Sequence, residues 1–255
     1  MIALQQISKT FGDRTAVNAL TLSVGKGEIF GFLGPNGAGK STTVKMLTGM
    51  IFPSSGSARV AGYDIAEEPI EVKKRIGYVP ESGAIFESLT ASEYLQLIGE
   101  LHHLDPVLTE RRSNEFLTLF GLTDHQHQRI QQYSKGMKQK VLIAAALIHN
   151  PDVLFLDEPL NGLDANASLV FKELLKKLSA QGKTIFFTSH ILDVVERICT
   201  RIAIINNGTI LIDGTAAEIL QKTGERTLED AFAKLTGVGD AKESAQDFMD
   251  VLGKE

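Results

Sequence analysis

The sequence predicts an α/β fold: a mainly parallel sheet covered by helices, flanked by antiparallel β structure and carrying an inserted α-helical subdomain. Three observations carry that expectation. Apolar strand-like runs at 28–33, 75–79, 152–157, 184–188 and 201–206 alternate with helical stretches, the pattern of parallel strands joined by crossover helices. Two earlier runs, at 2–8 and 15–24, are separated by Gly12-Asp13 and read as an antiparallel hairpin beside that core. Between 82 and 150 the strand signal gives way to helical patterns at 91–102, 109–121 and 135–149. The expected organisation is therefore a core of 1–81 and 151–222, a helical subdomain at 82–150, and a tail at 223–255. The tail is polar and helix-prone, and its small apolar faces fit docking or dimer contacts better than a separate fold.

Composition narrows the function classes. A chain of 255 residues with 43% hydrophobic content can bury the core of one large α/β domain or two small ones. The longest candidate apolar run, 141–148, ends at His149-Asn150-Pro151, far short of the ~18 residues of a membrane span. Any membrane function is therefore expected through a partner. The first residues, MIALQQISKTFG, lack the charged start and apolar stretch of a secretion signal. One cysteine, Cys199, precludes an intramolecular disulfide, so a reducing cytoplasm is the expected compartment. A net charge of -5 gives no electrostatic case for a nucleic-acid polymer as partner.

The stretch GPNGAGKST comprises Gly34, Pro35, Asn36, Gly37, Ala38, Gly39, Lys40, Ser41 and Thr42, directly after the apolar strand at 29–33. It fits the phosphate-binding loop G-x-x-x-x-G-K-[ST]. The glycines let successive backbone N–H groups turn around phosphate oxygens, and a helix predicted at 40–50 aims its partially positive N-terminus at the same place. Lys40 then serves the β- and γ-phosphates and the Ser41 hydroxyl serves Mg²⁺. The expected ligand is a nucleotide, within the fold class of P-loop NTPases.

A second constellation names the chemistry. The buried-type strand Val153-Leu154-Phe155-Leu156 ends in Asp157 and Glu158. Two adjacent strand-end carboxylates can divide two tasks, Asp157 holding Mg²⁺ and Glu158 polarising the attacking water. The run at 184–188 delivers His190 to the edge where ligands sit in open α/β sheets, within reach of a γ-phosphate. His102, His103, His125, His127 and His149 are expected in surface or structural roles, since no cysteine or acid cluster completes a metal set around His125-x-His127.

Tyr133-Ser134-Lys135-Gly136-Met137-Lys138-Gln139 then resembles the signature segment, commonly LSGGQ, of ATP-binding cassette transporter subunits, lying upstream of the Asp-Glu strand as in that family. Ser134 and Gly136 match; Tyr133, Lys135 and Met137 depart. Taken alone, Ser134 is also a good N-cap for the helix that follows. The resemblance spans roughly residues 2–220. It implies ATP and Mg²⁺ as cofactors, and a homodimer in which Ser134 and Gly136 of one subunit close over ATP held at Lys40 of the other. It also implies an integral membrane permease as partner, and a place on the cytoplasmic face of the membrane.

Further positions follow from the same resemblance. Phe11 stands where the family stacks an aromatic ring on adenine, and Asp164 of Asn161-Gly162-Leu163-Asp164 would lie across the dimer interface. Gly77-Tyr78-Val79-Pro80-Glu81 ends in Glu81 where the family usually has glutamine. A carboxylate there offers stronger Mg²⁺ ligation but no donor, and adds negative charge near phosphate. Together GYVPE and SKGMKQ look most like the branch serving separately encoded exporter permeases. Coupling to a permease is expected through residues 82–95. A soluble cassette ATPase acting on ribosomes or DNA would normally carry two cassettes or a long coiled-coil insertion, and neither is present. A GTPase or small-molecule kinase is disfavoured by the signature segment and by the lack of N-K-x-D.

Overall fold

A computed structural model describes residues 1–81, 85–237 and 249–250. The chain begins with an antiparallel hairpin, β1 (Ile2–Phe11) and β2 (Arg14–Val24), and continues into β3 (Ile29–Leu33) and α1 (Lys40–Leu47). Next come β4 (Ser55–Val60), β5 (Tyr63–Asp64), α2 (Pro69–Arg75) and β6 (Ile76–Val79). Three helices follow: α3 (Ala91–Leu101), α4 (Pro106–Leu119) and α5 (Lys135–Leu147). The chain then alternates through β7 (Val153–Asp157), α6 (Ala165–Ala180), β8 (Thr184–Thr188), α7 (Leu192–Ile198) and β9 (Arg201–Asn206). It closes with β10 (Thr209–Gly214), α8 (Ala216–Thr223) and α9 (Leu228–Thr236).

Two sheets result. The larger runs β10-β9-β3-β8-β7-β6, with every pair parallel except β10 on β9. The smaller, β2-β1-β4-β5, is antiparallel throughout. The hairpin expected at 2–8 and 15–24 is therefore half of a separate sheet, because β4 pairs with the free edge of β1. The edge strand β10 also lay outside the sequence reading, although Asn207-Gly208 between two apolar runs is a hairpin signal. The fourth helix begins at its Pro106 after the Asp105 cap, three residues before the expected start, because proline is accommodated in a first helical turn.

Period-two alternation divides the core. Ile29, Leu33, Leu154, Leu156, Ile185, Phe187, Ile202 and Ile204 face one cluster, shared with α3, α5, α6 and α7. Phe30, Phe32, Val153, Phe155, Phe186, Ala203 and Ile205 face the other, shared with α1 and the small sheet. The sheet is thus covered on both faces, which is why its strands read as unbroken apolar runs. Functional chemistry is left to the ends of the strands.

The helices α3, α4 and α5 occupy the interval between β6 and β7, strands that lie side by side in the sheet. In α9, Leu228 and Ala231 are buried in the larger cluster, so the first part of the tail packs on its own chain. The later tail pattern at 241–252 lies mostly outside the described residues. No helix among the described residues is long and apolar enough to cross a membrane.

Candidate active site

The site is built where parallel strands end and the backbone must turn sharply. After Leu33, the chain passes through Gly34 to Gly39 and enters α1 at Lys40. Gly37 and Gly39 have φ values of 81° and 109°. A Cβ on Gly39 would stand 2.5 Å from the Ala16 carbonyl oxygen, and one on Gly34 would stand 2.3 Å from that of Ile205. Glycine alone fits such crowded backbone. No side chain caps α1, so the first-turn N–H groups remain as donors for an anion.

Lys40 folds over this loop, its Nζ donating to the carbonyl oxygens of Gly34 at 2.5 Å and Pro35 at 3.1 Å. Burial lowers its pKa, while the carboxylates of Glu158, Asp157 and Glu81 pull the other way. Burial, and after it the carboxylates of Asp157 and Glu81, push the Tyr78 hydroxyl up to about 12.

Opposite the loop, β7 delivers Asp157 and Glu158, only 3% and 8% exposed. Register pairs Asp157 with Thr188 at the end of β8, and the Thr188 hydroxyl donates to Asp157 Oδ1 at 2.5 Å. Glu158 has a φ of 51°, a left-handed conformation that costs a non-glycine residue about 1–3 kcal/mol. Its N–H is held by the Thr188 carbonyl at 3.2 Å and hydroxyl at 3.3 Å. The strain turns the carboxylate toward His190, whose Nδ1 lies 2.9 Å from Glu158 Oε2. Burial raises the Glu158 pKa, opposed by the hydrogen bond and charge of His190 and by Lys40.

These groups surround one cleft of about 820 Å³. Its lining includes the expected Phe11, Asn36, Gly37, Gly39, Lys40, Ser41, Thr42, Glu81, Asp157, Glu158 and His190. Gly34, Pro35 and Ala38 belong to the loop without lining the cleft; Ser134 and Gly136 stand apart, at the start of α5. The donors match the expected ligands. Ser41, Asp157 and Glu81 offer the oxygen ligands a hard cation such as Mg²⁺ takes, and the loop amides with Lys40 suit a polyphosphate. Phe11, half exposed at the hairpin tip, presents a ring on which a base can stack.

Residues 17–161 match the family model described as ABC transporter. The chain belongs to this family. One relative, the linearmycin resistance ATP-binding protein LnrL of Bacillus subtilis (strain 168), is 39% identical over 228 residues, covering 89% of this chain and 73% of the relative. A solved ATP-binding subunit of an ABC transporter superposes with a TM-score of 0.87 at 32% identity, covering 92% of this chain and 99% of the other. A dimeric ATP-binding cassette bound to ADP and Pi, in a post-hydrolysis state, gives 0.78 at 25% identity, covering 84% of this chain and 98% of the other. The protein is an ABC ATP-binding subunit and an ATPase, with ATP and Mg²⁺ as its cofactors.

Beside the site of this ABC subunit lie two residues that sequence reading missed, Arg14 and Thr188. Arg14 lines the cleft beside the loop, its Nη2 3.5 Å from where a Gly37 Cβ would stand. A lone cation two residues past a hairpin glycine carried too weak a signal to single out. Thr188 fixes both strand-end acids, yet as a threonine ending an apolar strand it read as β propensity. In the signature segment, Ser134 caps α5 by accepting from Met137 N at 3.2 Å, while Tyr133 donates its hydroxyl to the His125 carbonyl at 2.7 Å. Asp164 caps α6, accepting from Ala167 N at 2.8 Å, and pairs with Lys140 at 3.3 Å. The expected structural histidines include a stacked pair, His102 on His149, with ring centroids 3.6 Å apart.

Proposed function

We propose that this subunit is the ATP-hydrolysing half of an exporter whose permease is a separate integral membrane protein, worked from the cytoplasmic face of the membrane. Two copies pair head to tail, and Ser134 and Gly136 of one close on the phosphates held at Lys40 of the other. The position of the α5 start, outside the cleft that holds Lys40, supports this pairing. Export is supported by the resistance function in the name of a relative matched across most of this chain. We assign residues 1–81 and 151–222 to the ATP-binding core, 82–150 to the helical subdomain and 223–255 to a tail. The interval between β6 and β7 supports this division. Coupling would run through 82–95, where residues 82–84 lie outside the described part.

Within the cleft each side chain has one task. Phe11 stacks on adenine, and the backbone N–H groups of residues 34–42, Pro35 excepted because it has none, receive the phosphates. Lys40 stabilises phosphate charge. Ser41, Asp157 and Glu81 hold Mg²⁺, which when bound neutralises charge on the β- and γ-phosphates. Glu158 accepts a proton from the attacking water as that water meets the γ-phosphate. His190 supports the γ-phosphate and holds the Glu158 carboxylate in place. The observation that carries this reading is the buried, strained Glu158 with its raised pKa, facing the cleft beside Asp157.

The partner is tested by affinity capture. Glu158→Gln with Mg·ATP is applied to detergent-solubilised membranes of the source cell, and the co-purifying proteins are identified by mass spectrometry. A permease with several membrane spans is the expected catch. Ribosomal proteins or nucleic acid instead would replace the transporter reading with that of a soluble ABC ATPase.

A further inference from the structure

The loop that leaves Glu158 is gripped from behind by the signature helix of the same chain. Gln139, on the second turn of α5, is 6% exposed, and its Nε2 donates to the Pro159 carbonyl oxygen at 2.9 Å. Nearer the helix start, Gly136 meets Gly162 so closely that a Cβ would stand 2.4 Å from the Gly162 carbonyl oxygen. Lys140 adds the ion pair to Asp164, but that carboxylate is 60% exposed and contributes little. The buried bond is the firm one, because an amide sealed away from water loses heavily when its partner goes.

What this grip holds is the residue under strain. Glu158 sits at a φ of 51° and precedes a proline, which restricts its backbone further. Pro159 has no N–H, so its carbonyl is the only backbone hydrogen-bonding group by which that residue can be tethered. Thr188 fixes the Glu158 N–H on one side, and Gln139 fixes the following carbonyl on the other.

We infer that Gln139 is a positioning residue for Glu158 of its own chain, keeping the strained backbone in the conformation that points the carboxylate into the cleft. This rests on the reading of Glu158 as the base. It gives α5 two duties: its first turn meets the partner's nucleotide, and its second turn sets the hydrolytic group of its own.

The test compares Gln139→Met, which keeps length and removes the donor, with Gln139→Glu, which places a carboxylate against a carbonyl oxygen. In the purified full chain, Gln139→Met is expected to lower kcat for Mg·ATP on the order of tenfold to a hundredfold. KM is expected to stay within about twofold. Thermal stability and ATP-driven dimerisation should hold near wild type, and Gln139→Glu should lose more kcat than Gln139→Met. Wild-type kcat in both variants, or kcat lost together with ATP affinity and stability, overturns the inference. Glu158→Gln runs alongside. If it is inactive while Gln139→Met is normal, only the positioning role fails; if it turns over normally, the reading of Glu158 fails and takes the inference with it.

Discussion

Two helix starts in this chain are proposed to receive phosphate, and they are built in opposite ways. The start of α1 has no side-chain cap, follows a glycine at φ 109°, and sits among Lys40, Arg14 and three carboxylates in one cleft. The start of α5 is capped by its own Ser134 and lines no part of that cleft. One start opens onto a finished cleft; at the other, Ser134 takes the Met137 N–H and Gly162 packs against Gly136. The difference fits the proposed pairing, in which a second copy would bring its nucleotide to the α5 start.

The largest expected effect comes from closing the finished site. In Gly39→Val, a branched side chain is forced at φ 109° against the Ala16 carbonyl, an expected cost of about 2 kcal/mol or more. ATP binding, read by equilibrium titration, should fall at least tenfold, about 1.4 kcal/mol. Undisturbed binding would mean the loop is not held as described.

Gly136→Ala breaks the other side. Its Cβ would press on Gly162, so ATP-driven dimerisation, read by sedimentation, should weaken while monomer binding of ATP persists. Equal loss of both would erase the distinction between the two starts.

A smaller effect is expected from Thr188→Val, which removes the donor to buried Asp157 and should cost about 1–3 kcal/mol in chemical denaturation. Smaller still is Ser134→Ala, where loss of the cap costs about 1 kcal/mol. Its hydrolysis should fall more than its stability, if the hydroxyl also serves a partner's phosphate.

The acid side sharpens the same contrast between site and scaffold. Because burial raises the Glu158 pKa, hydrolysis should fall with decreasing pH at a point above the ordinary carboxylate range, as the carboxylate takes a proton. His149 behaves differently. Burial and His102 lower its pKa to about 4, so the native state resists a proton that the unfolded chain accepts from 6.5 downward. Stability should therefore decline between these values by roughly 3 kcal/mol at most, and be level above them. His149→Phe, which can retain the stack on His102, should flatten that decline in denaturation curves at pH 7 and 5.

Much of this was legible in residue order, for physical reasons that also mark its limits. The loop from Gly34 to Thr42, the Asp157-Glu158 strand end and the strand leading to His190 are local patterns, each readable without knowing what packs beside it. The parallel strands read clearly because both of their faces are buried. The small sheet was half missed because β4 and β5 are short and polar, and they form only by pairing, β4 on β1 and β5 on β4. Arg14, Thr188 and Gln139 contact residues distant in sequence, so no spacing announced those contacts, even though Gln139 lies in the signature segment. The Glu158 backbone strain was equally invisible, since a glutamate before proline predicts no left-handed turn.

The most direct test is single-turnover hydrolysis of Mg·ATP by Glu158→Gln, with ATP binding and dimer mass measured on the same preparation. The account predicts that ATP still binds, that a closed dimer accumulates, and that hydrolysis falls on the order of 10²–10⁴-fold. Hydrolysis at the wild-type rate by a variant that binds ATP normally would contradict it.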